Sequence, residues 1–178
     1  MFKSRGLTLI ELLIALIILA TLASLAFYGN KGILNSNRAE SYLIELKRNI
    51  TYARAKAAAD DQVVILCPVP QAKLTDNASF NCQSSWSGNS LVTFVDLNGN
   101  GRFDSDSDNI IRVLDPVSGN DTLSFSTAFI RFDGSGQITS NVGRFVYCPD
   151  TEEAENQMLT VTLSGNALFN GTSQDKCN

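Results

Sequence analysis

The sequence predicts an α+β protein in which a long N-terminal helix, apolar and then amphipathic, packs on an antiparallel β-sheet head. Three observations carry this. Residues 7–28 form an apolar run with a single charge, and residues 39–57 repeat apolar positions at spacings of three and four. Beyond residue 60, short β-prone runs alternate with Gly, Asn, Asp and Ser. The 178 residues make one ordinary domain, or one domain plus an accessory segment, and at 44% hydrophobic and 18% charged they are too apolar for a disordered chain. Histidine is absent. That removes Ser-His-Asp and Cys-His nucleophiles and most zinc sites, and no Asp/Glu pair stands out for glycosidase chemistry. The expectation is a protein that is not an enzyme.

The first element is a basic leader, residues 1–6, carrying Lys3 and Arg5. Residues 7–28 follow as the apolar run LTLIELLIALIILATLASLAFY. As a helix these 22 residues span roughly 33 Å, close to the roughly 30 Å hydrocarbon core of a bilayer. Glu11 interrupts them near one end. A charge at the centre of a membrane helix costs about 2.5–3.5 kcal/mol on insertion scales, so even an off-centre carboxylate calls for a reason. A secretory signal peptide, with Ser24-Leu25-Ala26 as its small-residue cleavage site before Phe27, does not supply one, and neither does a plain anchor.

Residues 29–59 continue the stem as an amphipathic helix, with Ala39, Tyr42, Leu43, Leu46, Ile50, Ala53 and Ala57 on one face and Arg38, Lys47, Arg48, Arg54 and Lys56 filling much of the remainder. Gly29 and Gly32, each costing about 1 kcal/mol relative to Ala within a helix, mark a bend or local melting, with two helices joined by a loop as the competing reading. Residues 60–178 are the β-rich head. Its strands are expected at Val63–Leu66, Leu91–Val95, Ile110–Leu114, Leu123–Phe125, Phe129–Phe132, Phe145–Tyr147 and Leu159–Leu163. Asp133-Gly134-Ser135-Gly136 forms a hairpin turn between Ile130-Arg131-Phe132 and Gln137-Ile138-Thr139. Charge is segregated: residues 31–59 carry a net +4 and residues 60–178 a net −9, which opposes non-specific nucleic-acid binding by the head.

The string Gly6-Leu7-Thr8-Leu9-Ile10-Glu11-Leu12-Leu13 resembles the processing site of type IV pilins and type II secretion pseudopilins. The resemblance implies that a prepilin peptidase cuts after Gly6 on the cytoplasmic side, that the new amino terminus on Leu7 is methylated, and that Glu11 is the glutamate at the fifth mature position. The first mature residue is Leu rather than the commoner Phe. Cleavage would place an α-ammonium on Leu7, one helical turn from Glu11, so the two charges could neutralise each other within a chain or between neighbouring subunits. Head residues extend the likeness to the GspH/FimT group of minor pilins. They include Arg54-Ala55-Lys56-Ala57, Val63-Val64-Ile65-Leu66-Cys67, Trp86-Ser87-Gly88, Ile110-Ile111-Arg112-Val113 and Ile130-Arg131-Phe132-Asp133-Gly134-Ser135-Gly136. In that group FimT-type members bind DNA through a C-terminal Gly-Arg-x-Arg motif. The matching stretch here, Ser164-Gly165-Asn166-Ala167-Leu168-Phe169, lacks the arginines, so a FimU-like structural role is the expectation.

Four cysteines, all beyond residue 60, suit two disulfides in an oxidising periplasm. Of the three pairings, the local ones are expected, Cys67 with Cys82 and Cys148 with Cys177. Each would stabilise by about 3 kcal/mol or a little more, and the absence of C-x-x-C speaks against metal. The run Asp96 to Asp108 places oxygens in a calcium-loop pattern, naming Asp96, Asn98, Asn100, Asp104 and Asp108 as candidate calcium ligands, but Ser107 stands where the bidentate acid belongs. A solvated Asn-Gly turn is the rival reading. No other cofactor is expected.

The functional expectation is a minor pilin of a bacterial type IV pilus with a structural role in assembly. It would sit in the inner membrane with its head in the periplasm and then in the filament or at its tip. Its expected partners are other minor and major pilins or pseudopilins, the prepilin peptidase/N-methyltransferase and the inner-membrane assembly platform. The alternatives are a type II secretion system pseudopilin, a DNA-binding minor pilin for uptake, and a secreted calcium-binding module.

Overall fold

The structure, a computed structural model, describes residues 8–28, 31–75, 78–150 and 155–177, without the side chains of residues 25–28, 31 and 33. Two helices lead the chain, α1 (Leu9–Tyr28) and α2 (Lys31–Asp60). Gly29, where a bend was expected, lies outside the described residues. The head then runs β1 (Val64–Val69), a short α3 (Gln71–Thr75), β2 (Ser90–Val95), β3 (Asn109–Leu114), β4 (Thr122–Ser124), β5 (Ile130–Phe132), β6 (Gly143–Cys148), β7 (Asn156–Val161) and β8 (Ala167–Ser173).

The head holds two four-stranded antiparallel sheets, ordered β3-β2-β1-β5 and β4-β6-β7-β8. The sequence reading, an antiparallel β-sheet head, does not itself divide the strands between two sheets. α2 lies across the inner faces of both. Ala39, Leu43, Leu46, Ile50, Ala53 and Ala57, spaced three or four apart, are fully buried and form the shared core with Val64, Leu66, Ile130, Phe132, Phe145, Tyr147, Leu159 and Val161. Helix periodicity puts these six side chains on one stripe. Burying a Leu or Ile side chain contributes about 1.5–3 kcal/mol, so this stripe is what fixes the helix to the head.

β1 and β2 are buried on both faces. Their outer face carries a second core of Ile65, Cys67, Val69, Val92 and Phe94, covered by Phe80 and Phe103, whose stacked rings sit 4.7 Å apart. Pro68, which has no amide to give a ladder, lies in β1 beyond the last residue paired with β5. Trp86 packs against β6. It is buried, its Nε1–H donates to the Thr127 carbonyl at 2.6 Å, and its ring meets Phe145 and Phe125 edge-on.

α2 ends in a Schellman-type turn, with Asp61 in the left-handed region (φ 53°) and the Gln62 amide reaching back to the Ala57 carbonyl. The stem's C-terminal end is gripped by two turns. Gly136 and Gly165 both have positive φ and close on the Arg54 side chain. A Cβ on Gly165 would lie 2.5 Å from the Gly136 carbonyl oxygen and 2.9 Å from Arg54 Cδ, so only glycine fits.

Candidate assembly surface

Gly6 and Leu7, the expected processing residues, lie outside the described residues. The described chain starts at Thr8, which caps α1. Its N–H and its Oγ1–H both donate to Glu11 Oε2 at 2.8 Å, while the Glu11 N–H points back to Thr8 Oγ1 at 3.3 Å. This is a reciprocal capping box, the Thr-x-x-Glu arrangement that satisfies donors the first turn leaves open. Sequence reasoning weighed Glu11 only as a charge; the Thr-x-x-Glu spacing before an apolar run was the signal for this second role.

Past its cap, α1 buries none of its described side chains. Ten large apolar side chains between Leu9 and Leu22 are 47–82% exposed, and they lie all round the helix. Thr21 and Ser24 turn their hydroxyls onto the backbone carbonyls of Ile18 and Thr21, both at 2.8 Å, so neither needs water. A monomer cannot keep such a rod in water, because exposed apolar patches of this size mark contact surfaces. Among the described residues no helix is long and apolar enough to cross a membrane. Of the 22 positions counted in the sequence, Leu7 and the side chains of residues 25–28 fall outside the description.

Where α2 enters the head, Arg38 and Asp121 form a two-pronged ion pair, Nε to Oδ2 and Nη2 to Oδ1, both at 2.8 Å. The Asp121 side chain is 1% exposed and that of Arg38 41%. Asp121 also accepts from the buried Tyr147 hydroxyl at 2.5 Å and from the Asp150 amide at 2.9 Å. Burial, followed by the Asp121 hydrogen bond and charge, pushes the Tyr147 phenol well above its ordinary range. Tyr42 packs tilted on Tyr147 at 5.5 Å, and burial raises it too, followed by the charges around it. The cluster fixes the direction in which the stem leaves the head. No local pattern signals it, since the partners are 83 residues apart.

Cys67 bonds to Cys82 and Cys148 to Cys177, with Cα atoms 5.5 and 6.1 Å apart. The first fastens the segment over the outer core to β1. The second returns the C-terminal tail to β6, where Asp175 pairs with Arg144 at 3.0 Å.

The acidic loop is closed by its own hydrogen bonds. Asp96 accepts from the amides of Asn100 and Gly101, and Asp108 from those of Leu97 and Asp104. The Asn98 and Asn100 side-chain amides donate to Asp104, and the Arg102 guanidinium sits 2.8 Å from it. Those bonds, from Asn98 first and Asn100 next, hold the Asp104 carboxyl below the usual range. Aiming N–H groups and a guanidinium at a carboxylate is the reverse of what a cation needs. As placed, Asp96, Asp104 and Asp108 thus accept internal hydrogen bonds, the arrangement of the solvated Asn-Gly turn weighed against the calcium loop. Among the described residues no cluster of three or more His, Cys, Asp or Glu is arranged to hold a metal ion. At the FimT-like stretch, residues 164–166 lie in the β7–β8 turn, and Arg54 donates to Asn166 Oδ1.

The chain matches the family of type II transport protein GspH over residues 44–167 and the prokaryotic N-terminal methylation motif over residues 1–27. No curated protein matches it. Two crystal structures of the type IV minor pilin FimU of Pseudomonas aeruginosa are similar in fold, each at 14% identity. One covers 78% of this chain and 95% of that chain with a TM-score of 0.58; the other covers 76% and 98% with a TM-score of 0.51.

Proposed function

Because the chain belongs to the GspH family of type IV pilin-like subunits, which are structural proteins and not enzymes, we propose that it is a minor pilin of a bacterial type IV pilus. One observation carries the reading: α1 is an uncovered apolar rod with a lone acid in its first turn, projecting from a disulfide-fastened head. Removal of residues 1–6 frees an α-ammonium on Leu7. Residues 7–28 then serve first as an inner-membrane anchor and, after assembly, as the filament core. Residues 29–59 are the stem, and residues 60–178 are the periplasmic head.

In a low-dielectric core an unpaired carboxylate is strongly unfavourable. Glu11 is thus accommodated where the Leu7 ammonium of its own or a neighbouring subunit can reach it, and that requirement selects the register of packing. The head carries the contacts that distinguish one minor subunit from another. The likeness to FimU, described as a type IV minor pilin, supports this reading. The test is incorporation. Filaments sheared from cells should contain the wild-type chain and lack Glu11→Ala, although both accumulate equally in the membrane; equal incorporation would reject the role of Glu11.

The family's own description as a type II transport protein favours a second reading, a pseudopilin of the type II secretion system. Deletion separates the two: loss of surface filaments marks the first, and loss of enzyme export with filaments intact marks the second.

A further inference from the structure

We propose that Asn98 is a modification site. The Gly99 backbone nitrogen displaces its side-chain amide, water completes the change to aspartate or isoaspartate, and the fold directs this reaction to Asn98 among the chain's three Asn-Gly pairs, at Asn98, Asn100 and Asn170.

Glycine brings no Cβ to hinder ring closure, so the nitrogen that follows an asparagine reaches the side chain most easily in this pair. Hydroxide removes the glycine N–H proton, and the nitrogen attacks the asparagine Cγ. The bond from Cγ to Nδ2 breaks, and ammonia leaves with a proton from water. The cyclic imide takes up water at either carbonyl. In sum one water is consumed and one ammonia released, and nothing is oxidised or reduced.

The glycine nitrogens meet opposite surroundings. The Gly101 N–H donates to Asp96 Oδ2 at 2.9 Å, and Asp96 is buried. A carboxylate there holds the proton and repels the anion that its loss would leave. Gly171 sits in β8 opposite Met158, and the Thr160 amide and hydroxyl hold Asn170 Oδ1 at 3.1 and 2.7 Å. Gly99 has neither restraint. Among the described residues its N–H has no hydrogen-bond acceptor. The Arg131 guanidinium lies 3.9 Å from where a Cβ on Gly99 would be, so a cation stands beside the developing charge. The side-chain oxygens do not separate the two loop sites. Asn98 Oδ1 accepts from the Asn100 amide at 3.1 Å and Asn100 Oδ1 from the Arg102 amide at 3.0 Å. The nitrogens therefore carry the difference. Asn98 Nδ2 donates to Asp104 Oδ2 at 2.9 Å, so the product sets one carboxylate against another and the loop loses that closure.

The test incubates the purified full chain in detergent at mildly alkaline pH, with and without urea. Proteolysis and fragment-ion mass spectrometry then read each asparagine separately. In the folded chain Asn98 should convert faster than Asn100 and Asn170. In urea, where both loop glycines meet only solvent, the rates of Asn98 and Asn100 should come together. Arg131→Gln should slow Asn98 roughly fivefold, about 1 kcal/mol, the strength of a unit charge a few ångströms away in water. Arg131→Lys, which keeps the charge, should restore most of the rate, and the Asn100 rate should not respond to either variant. Added salt screens the same cation without altering the chain and should also slow Asn98, which keeps the test open if Arg131→Gln does not fold. An Asn98 rate at or below that of Asn100 in the folded chain overturns the proposal, as does an Asn98 rate that Arg131→Gln, or salt where that variant does not fold, leaves unchanged.

Discussion

Replacing Asp121 by alanine should weaken the head by removing a buried acceptor shared by several donors. The carboxylate has four donors around it, two from Arg38, the Tyr147 hydroxyl and the Asp150 amide. Arg38, with 41% of its side chain exposed, can turn to water when the partner goes, so little of the loss comes from that side. The Tyr147 hydroxyl cannot, because the residue is fully buried. A buried donor left without a partner costs about 1–3 kcal/mol. With the Asp150 amide also released, Asp121→Ala should cost about 3 kcal/mol, and Arg38→Ala about 2 kcal/mol, since it strands a carboxylate that keeps two donors. The double variant should cost no more than Asp121→Ala alone, giving a coupling of about 2 kcal/mol. Trp86 is the chain's one tryptophan and is buried, so its fluorescence follows urea unfolding of the full chain in detergent. In a heat scan, 3 kcal/mol corresponds to about 6–12 °C for a chain of this size. A loss below about 0.5 kcal/mol for Asp121→Ala, or additive single variants, would refute the view of this cluster as a clamp on the stem.

Other outcomes follow from the same structure. Tyr42 and Tyr147 are held protonated above the ordinary tyrosine value, so the unfolded chain loses these protons first as pH rises. Stability should be fully present below about pH 10 and fall above it by roughly 1.4 kcal/mol per pH unit for each tyrosine, with a shallower fall in Tyr147→Phe; a flat profile from pH 9 to 11 would contradict this. Gly165→Ala meets both a left-handed backbone and the Gly136 carbonyl, and should cost at least about 2 kcal/mol in urea unfolding. Cys177→Ser opens a link spanning 29 residues and should remove about 3.5 kcal/mol, leaving the tail open to carboxypeptidase; an unchanged midpoint would deny the tail its structural role. Calorimetry with calcium should give no heat at the Asp96–Asp108 loop, whose carboxylates already accept internal hydrogen bonds.

The parts of this molecule that local pattern specifies could be read from the chain. The α1 run, the three-and-four spacing from Ala39 to Ala57 and the strand runs bounded by Gly, Asn and Asp all lead to the elements observed. The division into two sheets could not be read that way, because a strand's own residues do not name its partner. The continuous apolar stretch Val64–Val69 did carry a signal, that of a strand covered on both faces. β8 was missed for a local reason. Asn170-Gly171 reads as a turn, yet here it forms a bulge opposite Met158 and Leu159, with Gly171 at φ 79° and Asn170 accepting from Thr160. The Arg38–Asp121 clamp depends wholly on tertiary placement. At the candidate site, Glu11 was legible as a charge out of place, whereas its bond to Thr8 needed the cap geometry.

The most direct test is the N-terminal sequence and intact mass of the native protein recovered from the cell envelope. The account predicts a chain beginning at Leu7, with a methylated α-amine and two intact disulfides. A chain beginning at Phe27, or one retaining residues 1–6, would contradict it.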